Sequence, residues 1–473
     1  MKLYTNTSFA SELIDEAKLF FREPFQIAVQ PLADIYHFCE QDGSEVSHTV
    51  VYRDYCVVKK HPAVYRNELQ RKKIVKQNAK CAIYECLKQA TGTFVPWGAL
   101  TGIRPTKLAR ELKEEFGSFE TIFRTVYDVS EEKIRLAERI LLQQEGMHKG
   151  NDCDTDVYVG IPFCVSKCSY CSFSGGEIGK MQKLVQPYLD ALFYDLNATK
   201  RILQSGKYHC KNLYIGGGTP TSLDVVPLEE VVRTVSEIPH EEFTVEAGRP
   251  DTITKEKLDV FARYGVNRVS VNPQTFCQST LDRIGRRHTV RQIYEAFEAV
   301  RPYGFVVNAD FIAGLPGESF EGFCFGIDEI CKIRPQNVTV HSLALKRGAE
   351  LKQNGELQQN DTVQQMIEYA HRTLSSAGYE PYYLYRQKYM SANLENVGFT
   401  LPGYVCRYNV DNMEETTSVL ACGSGAISKR IFGKENRIER AANAKDVAWY
   451  VGNVQEICRK KERLFLDETS CGK

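Results

Sequence analysis

Short apolar runs alternate with amphipathic helical stretches along the middle of the chain, from about residue 157 to residue 376. The pattern repeats six times, always strand before helix. The predicted strands lie in 156–163, 212–217, 242–247, 268–274, 305–317 and 337–343, and the predicted helices in 182–203, 226–237, 254–264, 278–301, 320–332 and 360–376. Such alternation implies parallel strands with crossover helices. The pattern therefore predicts an α/β fold, either an open sheet or a partial (β/α)6 barrel.

Glycines and chemically active residues follow the predicted strands, always at the same end. They are Cys164 to Cys171, Gly216 to Thr219, Glu246, Gln274, Asp310 and His341. In a βα barrel the active site is built at the carboxyl ends of the strands. We therefore expect these residues to share one site.

The remaining chain suggests further domains, because 473 residues exceed what one hydrophobic core usually organises. We predict an N-terminal α+β domain over 1–92 and a helical connector over 93–150. The α/β core is expected over 151–345, followed by a C-terminal extension over 346–473 that ends in a helix near 444–461.

Bulk charge gives no sign of a nucleic-acid or acidic-membrane binder, since Lys plus Arg and Asp plus Glu number 60 each. The first residues, MKLYTNTSFASELIDEAKLFF, include acidic side chains and lack the apolar stretch of a signal peptide. No apolar run approaches the roughly 18 residues of a transmembrane helix. We predict a cytoplasmic protein.

The sixteen cysteines fall into two kinds. In a reducing cytosol, scattered single cysteines are mainly small buried hydrophobes. Examples are Cys39, Cys56, Cys210, Cys277, Cys324 and Cys406. Cys164, Cys168 and Cys171 are instead clustered as ligands are.

Three interpretations compete for this trio: a structural zinc site, a redox pair with a spare thiol, and an iron–sulfur cluster. Zinc normally takes four ligands, usually as two close pairs. A [4Fe–4S] cluster normally takes one thiolate per iron, so three thiolates would leave one iron open for catalysis. The trio favours the cluster without excluding the others.

The spacing C-x3-C-x2-C, with Tyr170 before the last cysteine, resembles the signature of the radical S-adenosylmethionine (SAM) superfamily. The segment GGGTP at 216–220 resembles its second signature, where glycine lets the backbone approach a ligand closely. The resemblance implies a [4Fe–4S] cluster on Cys164, Cys168 and Cys171 whose open iron chelates the amino and carboxylate groups of SAM. Reductive cleavage of SAM would yield a 5′-deoxyadenosyl radical.

A narrower resemblance covers residues 157–430. The segments Y-x-G-I-P-F-C, GGGTPT, VSVNPQTF, IGRRHT, DFIAGLPGE and RYN…GSGAIS resemble the oxygen-independent coproporphyrinogen III oxidase family. The N-terminal domain and LTGIRPTK resemble its Z-type branch. This implies an oxidoreductase of haem biosynthesis that binds two SAM molecules and decarboxylates two propionates of coproporphyrinogen III. A protein such as flavodoxin or ferredoxin would supply electrons.

The resemblance also assigns site residues. Contacts to the cluster-bound SAM are expected from Tyr158, Gly217, Glu246 and Ile427, and contacts to a second SAM from Tyr170, Gly218, Thr219, Gln274, Arg286 and Asp310. Among them, Tyr158, Glu246, Gln274, Arg286 and Asp310 are the expected catalytic residues. Each has a structural alternative: Glu246 and Asp310 could cap helices, Arg286 could form a surface ion pair, and Gln274 could satisfy backbone groups.

Two positions depart from the family pattern. Gly160 stands where the family often has histidine. The segment EAGRP, residues 246–250, carries one residue more than the usual acid-x-x-Pro motif.

A porphyrinogen with four carboxylates needs cationic partners and an apolar or aromatic wall, and arginine binds carboxylates through its planar fork. Candidate donors are Arg104 and Lys107, or Arg386 and Lys388 among Tyr382, Tyr383, Tyr385 and Tyr389. A solvated helix start and a packed aromatic strand are the structural alternatives.

Other functions remain open. The chain could be a haem-binding delivery protein, with haem on His341 or a free cysteine, or a radical methyltransferase that opens haem. Residues 1–150 are expected to form a lid or docking domain.

Overall fold

The computed structural model of the chain describes residues 1–21, 23–29, 32–102, 104–147, 151–173, 175–344, 351, 359–387, 393–435 and 437–467, without the side chains of Leu69 and Lys434. The chain divides into two compact units, Met1–Glu138 and Arg139–Lys473. The finer division at residues 92, 150 and 345 stays a prediction.

The described residues of the first unit contain a five-stranded sheet. Its strands are β1 (Lys2–Thr5), β2 (Gln26–Ile27), β3 (Ile35–Asp42), β4 (Glu45–Tyr52) and β5 (Tyr55–Pro62), in the order β2-β1-β3-β4-β5. β1 is parallel to its neighbours, whereas β3, β4 and β5 form an antiparallel meander. Alternate residues of β4 are buried, as expected for a sheet with one covered face.

Helices complete the α+β unit. They are α1 (Ala10–Ala17), α2 (Glu68–Thr91), α3 (Pro105–Phe116), α4 (Glu120–Thr125) and α5 (Glu131–Gln143), which extends past the unit boundary. α2 begins at the Asn67 cap, whose side chain accepts from the Gln70 N–H, and ends at Gly92 with φ +66°. Leu13 of α1 and Ile83 of α2 share a core with Val50 of β4.

The second unit is built on six parallel strands, as predicted. Within the described ranges they are β6 (Asp154–Ile161), β9 (His209–Gly217), β10 (Glu242–Glu246), β11 (Arg268–Ser270), β12 (Val306–Ala313) and β13 (Asn337–Ser342). Each pairs with the next in parallel register. This is the α/β arrangement of a partial (β/α)6 barrel.

The crossover helices are α6 (Gln182–Gln204), α7 (Val225–Ser236), α8 (Lys255–Arg263), α9 (Gln278–Arg283), α10 (Val290–Val300), α11 (Phe320–Ile333) and α12 (Asn360–Ser376). The helices predicted around 278–301 are two, α9 and α10, separated by a short break. Gly285, with φ +78°, ends α9, and a capping box of Thr289 and Gln292 begins α10. The break brings Arg286 into the second unit's site, as described below.

The main sheet is wider than the alternation predicted. β15 (Asn396–Thr400) pairs antiparallel with β13 and is followed outward by β14 (Glu380–Tyr385). At the other edge, β16 (Ser418–Cys422) lies parallel to β6 and continues into β17 (Ile427–Phe432) and β18 (Arg437–Ala442). The sheet order in the described residues is β14-β15-β13-β12-β11-β10-β9-β6-β16-β17-β18.

Smaller elements finish the second unit. β7 (Phe163–Cys164) and β8 (Gly176–Glu177) form a two-stranded ribbon, α13 covers Arg407–Glu414, and α14 covers Val447–Leu466, close to the predicted C-terminal helix. Within the ranges given above, no helix combines the length and apolarity needed to cross a bilayer.

Candidate functional site

The loop with the three thiols follows β6 and is tied to the break between α9 and α10. The Ser166 hydroxyl donates to the Gly285 carbonyl at 2.9 Å, and the Ser169 N–H donates to the Ile284 carbonyl at 3.1 Å. The Cys171 N–H donates to the Cys168 carbonyl at 3.0 Å. The loop is therefore fixed at several points.

Each thiol has its own hydrogen-bond donor. The Thr219 hydroxyl lies 3.5 Å from Cys164 Sγ, and the Phe173 N–H lies 3.4 Å from Cys171 Sγ. Arg249 Nη1 lies 4.0 Å from Cys168 Sγ. Donors of this kind stabilise thiolates, the form that binds iron.

The three thiols lie within electrostatic reach of one another. Burial raises the pKa of the Cys164 thiol to about 11, and Cys171 and Cys168 add to the shift. Among the described residues, no three His, Cys, Asp or Glu side chains converge on a single metal ion. In a [4Fe–4S] cluster each thiolate binds a different iron, so the loop and its donors fit a cluster.

The glycine-rich turn after β9 is held against the first thiol. The N–H groups of Gly218 and Thr219 each donate at 2.7 Å, to the carbonyls of Ile161 and Phe163. A Cβ at Gly218 would lie 2.6 Å from the Phe163 oxygen and 3.0 Å from Cys164 Sγ. The close approach of the two segments therefore requires glycine.

Glu246, the last residue of β10, faces the same turn. Its carboxylate accepts from the Tyr214 hydroxyl at 2.5 Å and from the Gly217 N–H at 3.2 Å. Burial raises the pKa of Glu246 to about 7, and the Asp310 charge adds to this shift, while the two hydrogen bonds oppose it. Among the described residues Glu246 caps no helix, so the alternative role of a helix cap does not apply.

Tyr158 lies beside this group on β6. Its ring stacks on Tyr214 with centroids 6.2 Å apart and packs against the small cluster that includes Ala426. Ile427, which begins β17, is the next residue after Ala426 and is 50% exposed. Tyr158, Gly217 and Glu246 are therefore connected through Tyr214 and the glycine turn.

The second predicted set includes a strained residue. Gln274 has φ +67°, and its backbone is held by β12 through the Asp310 carbonyl at 2.9 Å and the Ile312 N–H at 3.1 Å. Its buried Oε1 has no hydrogen-bond partner among the described residues. Its side-chain oxygen therefore does not accept a hydrogen bond from the backbone. Non-glycine residues with positive φ cluster at functional sites.

Asp310 lies inside β12 and not at its carboxyl end, because the strand continues to Ala313. Its Oδ1 accepts from the Asn308 amide at 2.8 Å and lies 3.8 Å from His341 Nε2. Burial would raise the pKa of Asp310, but His341, Asn308 and Thr339 lower it below its usual value. The carboxylate is therefore kept ionised.

Arg286 is 6% exposed, and it forms no surface ion pair with the residues that the structure describes. Its Nη1 donates to the Asn272 carbonyl at 2.5 Å, and its Nε has no partner in the part of the chain that the structure describes. Although burial opposes it, Tyr170 and Cys168 raise the pKa of Arg286. The guanidinium therefore lies beside the thiol loop, with Tyr170 packed against Ile284 and Leu343.

Comparison with known proteins assigns the family. Residues 158–324 match the family described as the Radical SAM superfamily. The oxygen-independent coproporphyrinogen-III oxidase-like protein HemZ of Bacillus subtilis (strain 168) is 38% identical over 436 residues, covering 87% of each chain. The chain belongs to this coproporphyrinogen-III oxidase-like family.

The chain is also similar to a heme chaperone and to a coproporphyrinogen III oxidase of known structure. Heme chaperone HemW of Lactococcus lactis subsp. lactis (strain IL1403) is 31% identical over 57% of this chain and 69% of its own. The solved structure of coproporphyrinogen III oxidase (HemN) from Escherichia coli, titled a radical SAM enzyme, superposes with a TM-score of 0.53 at 24% identity, covering 67% of this chain and 72% of that one. It therefore has the same fold. Membership of the superfamily implies a [4Fe–4S] cluster and SAM.

The structure also shows site residues of this coproporphyrinogen-III oxidase-like protein that the sequence did not identify. Tyr214 supports Glu246. Arg249 contacts the thiol loop, and the additional residue in EAGRP was the sequence signal that could have found it. Tyr214 carried no such signal, because tyrosines in buried strands are ordinary core residues.

The cationic residues that were predicted to bind the substrate's carboxylates differ in their surroundings. Arg386 is 3% exposed and donates to the Asn393 carbonyl at 2.9 Å, and Tyr382 and Tyr383 are buried in β14. The packed-strand interpretation therefore fits the described part of this segment. Lys388 and Tyr389 lie outside the described residues. Arg104 and Lys107 belong to the first unit, at the start of α3, and their role stays a prediction.

Proposed function

We propose that this protein carries out the oxygen-independent oxidative decarboxylation of coproporphyrinogen III to protoporphyrinogen IX in haem biosynthesis. The observation that supports this most directly is the conformation of Gln274. Its backbone is strained and hydrogen-bonded to Asp310, and its buried Oε1 has no partner among the described residues. Asp310 and Arg286 belong to the same predicted set. These residues match the family's contacts to a second SAM. A protein that only carried haem would have no use for them.

When bound, the cluster and SAM would supply hydrogen-atom abstraction from a propionate side chain. Cys164, Cys168 and Cys171 would hold the cluster, with their hydrogen-bond donors fixing the loop. The glycine turn and Glu246 would bind and orient the first SAM, since a carboxylate attracts the positive charges of that molecule. Loss of carbon dioxide from the substrate radical would form the vinyl group and release one electron, which must pass to a separate one-electron acceptor. A reductant such as flavodoxin or ferredoxin would supply the electron that starts each cycle.

An aromatic wall supports a tetrapyrrole substrate. The half-buried rings of Tyr158, Tyr214 and Tyr385 supply it. Behind them, the buried Tyr408 stacks on Tyr214 with ring centroids 4.3 Å apart, and the buried Tyr383 stacks on Tyr385 at 6.4 Å. Flat apolar faces suit a macrocycle and exclude water from a radical.

Haem binding is the second candidate, because the chain is also similar to a heme chaperone. His341 Nδ1 lies 3.4 Å from the Tyr385 hydroxyl, whereas Nε2 lies 3.8 Å from Asp310 Oδ1, beyond hydrogen-bonding distance. A haem iron on Nε2 would therefore lie against the Asp310 carboxylate.

The test is an anaerobic assay of the full chain. After reconstitution with iron and sulfide, the protein is given SAM, a strong reductant and coproporphyrinogen III, and porphyrins and nucleosides are separated by chromatography. We expect protoporphyrin with one 5′-deoxyadenosine per propionate removed, and neither product from Cys168→Ala. Deoxyadenosine with unchanged porphyrin would contradict the proposal. Haem titration and product mass would then distinguish a carrier from a methyltransferase.

A further inference from the structure

Arg249 lies in the segment Glu246–Pro250, which carries one residue more than the family's usual motif. Gly248, with φ +57°, turns the chain immediately before Arg249. The Gly248 N–H donates to the Ser270 carbonyl at 2.9 Å. The arginine therefore leaves the end of β10 in a fixed direction. Its side chain is 2% exposed.

A carboxylate clamps the guanidinium. Arg249 Nε and Nη2 lie 3.1 Å and 3.3 Å from the two oxygens of Asp251. Asp251 is backed by the buried His288, whose Nδ1 lies 3.6 Å from Oδ1. A bidentate pair of this kind gives the arginine a single orientation.

The free edge of the guanidinium points at the thiol loop. Its Nη1 donates to the Ser166 hydroxyl at 3.0 Å and lies 4.0 Å from Cys168 Sγ. Ser166 in turn donates to the Gly285 carbonyl at 2.9 Å. One buried cation thus connects the end of β10, the thiol loop and the break between α9 and α10.

We propose that Arg249 is a positioning residue for the cluster, holding the Ser166–Cys168 turn and placing a positive charge and an N–H donor at the Cys168 thiolate. Hydrogen bonds to cluster sulfurs and local net charge set the reduction potential of such a cluster. An added electron makes the cluster more negative, so a fixed buried cation stabilises the reduced state. Arg249 therefore raises the reduction potential.

The inference does not depend on the tetrapyrrole substrate. It needs the cluster that the superfamily implies, and its readouts are iron content and potential. Failure of porphyrinogen decarboxylation would leave it intact, and an unchanged potential would leave the proposed function intact.

The experiment compares Arg249→Gln, Arg249→Lys and Asp251→Asn in the full chain. Arg263→Gln is the matched control, because Arg263 pairs with Glu229 at the surface and is 58% exposed. Each variant is reconstituted anaerobically, iron and sulfide per chain are measured, and the midpoint potential is found by a redox titration followed by electron paramagnetic resonance.

We expect a more negative midpoint potential in Arg249→Gln, a smaller shift in Arg249→Lys, which keeps the charge, and no shift in Arg263→Gln. Asp251→Asn should shift in the same direction as Arg249→Gln, because the clamp is weakened. Equal potentials in all fully loaded proteins would overturn the proposal.

Loss of the cluster is also informative. If Arg249→Gln keeps the circular dichroism of the parent but takes up no iron, while Arg249→Lys loads fully, the positioning role is supported. If both variants lose iron together with their circular dichroism, Arg249 acts on folding alone and the proposal is wrong.

Discussion

The Tyr214 hydroxyl donates to the Glu246 carboxylate at 2.5 Å, inside a barrel where burial raises the pKa of that carboxyl to about 7. The two residues lie on neighbouring strands, β9 and β10, and the Gly217 N–H supplies a second hydrogen bond. At neutral pH the ionised form of Glu246 therefore depends on these donors.

Tyr214→Phe removes one donor and should raise the pKa of Glu246 by about one unit or more, since a hydrogen bond to a charged group contributes roughly 1.5–3 kcal/mol. Less carboxylate is then ionised at pH 7, and SAM, which is positively charged, should bind more weakly. Anaerobic SAM titrations from acid to alkaline pH should show affinity recovering at higher pH in the variant than in the parent. Coincident pH profiles would contradict this account of Glu246.

Gly218→Ala should prevent most cluster assembly, because a Cβ there would lie 2.6 Å from the Phe163 oxygen and 3.0 Å from Cys164 Sγ. Iron per chain after reconstitution is the measurement. Gly179→Ala is the matched control, since a Cβ at Gly179 meets no atom within 4 Å. Equal iron content in the two variants would show that the turn can shift to accommodate the added Cβ, and the prediction would be wrong.

Gln274→Gly should lower product formation without loss of stability. Glycine adopts φ +67° without the steric cost of a side chain, roughly 1–2 kcal/mol, which offsets the greater freedom of the unfolded chain. The missing amide should weaken the second predicted SAM contact. Thermal unfolding and turnover measured on the same preparation check both parts, and full turnover in the variant would remove Gln274 from the site.

Lys461→Met should destabilise the second unit by about 3–5 kcal/mol, because it leaves Asp195 buried without its cation. Lys461 of α14 and Asp195 of α6 are 2.5 Å apart and 1% and 0% exposed. Arg201→Met breaks a largely exposed pair with Glu462 on the same two helices and should cost at most about 1 kcal/mol. Urea denaturation should separate the two variants clearly, and equal costs would refute the buried-pair argument.

The first unit contains a row of buried histidines across β3, β4 and β5. His37 Nε2 lies 3.1 Å from His48 Nδ1, and His48 Nε2 lies 3.3 Å from His61 Nε2. His61 Nδ1 faces the Pro62 carbonyl at 3.1 Å, which can only accept, so each neutral ring must donate toward Pro62. Protonating His48 would place a donor of this ring against a donor of the neighbouring His37 ring.

Acid should therefore destabilise the first unit. Burial lowers the pKa of His37 to about 4 and of His48 to about 3, from 6.5. Between pH 6.5 and pH 4 the unfolded chain binds more protons, so the free energy of unfolding should fall by on the order of 2–3 kcal/mol for each of the two histidines. In Trp449→Phe, the fluorescence of the buried Trp97 reports this unit during urea unfolding. A pH dependence that persists unchanged in His48→Leu would exclude the histidine row.

The histidine row also shows how little the sequence says about pairing. His37, His48 and His61 are separated by 11 and 13 residues, and only the register of three antiparallel strands brings their rings together. The same holds for β16, which lies parallel to β6 although more than 250 residues separate the two strands. The local periodicity of the sequence does not indicate which distant strands pair with one another.

Local patterns were enough to predict the six strand–helix repeats, the thiol trio and the glycine turn, because strand and helix periods and ligand spacing are properties of neighbouring residues. Three-dimensional packing sets the burial of Arg286, the wider sheet that packs Tyr382 and Tyr383, and the contact of Arg249 with the thiol loop. These features depend on long-range burial and on the direction of single side chains, which the packed core sets and neighbouring residues do not.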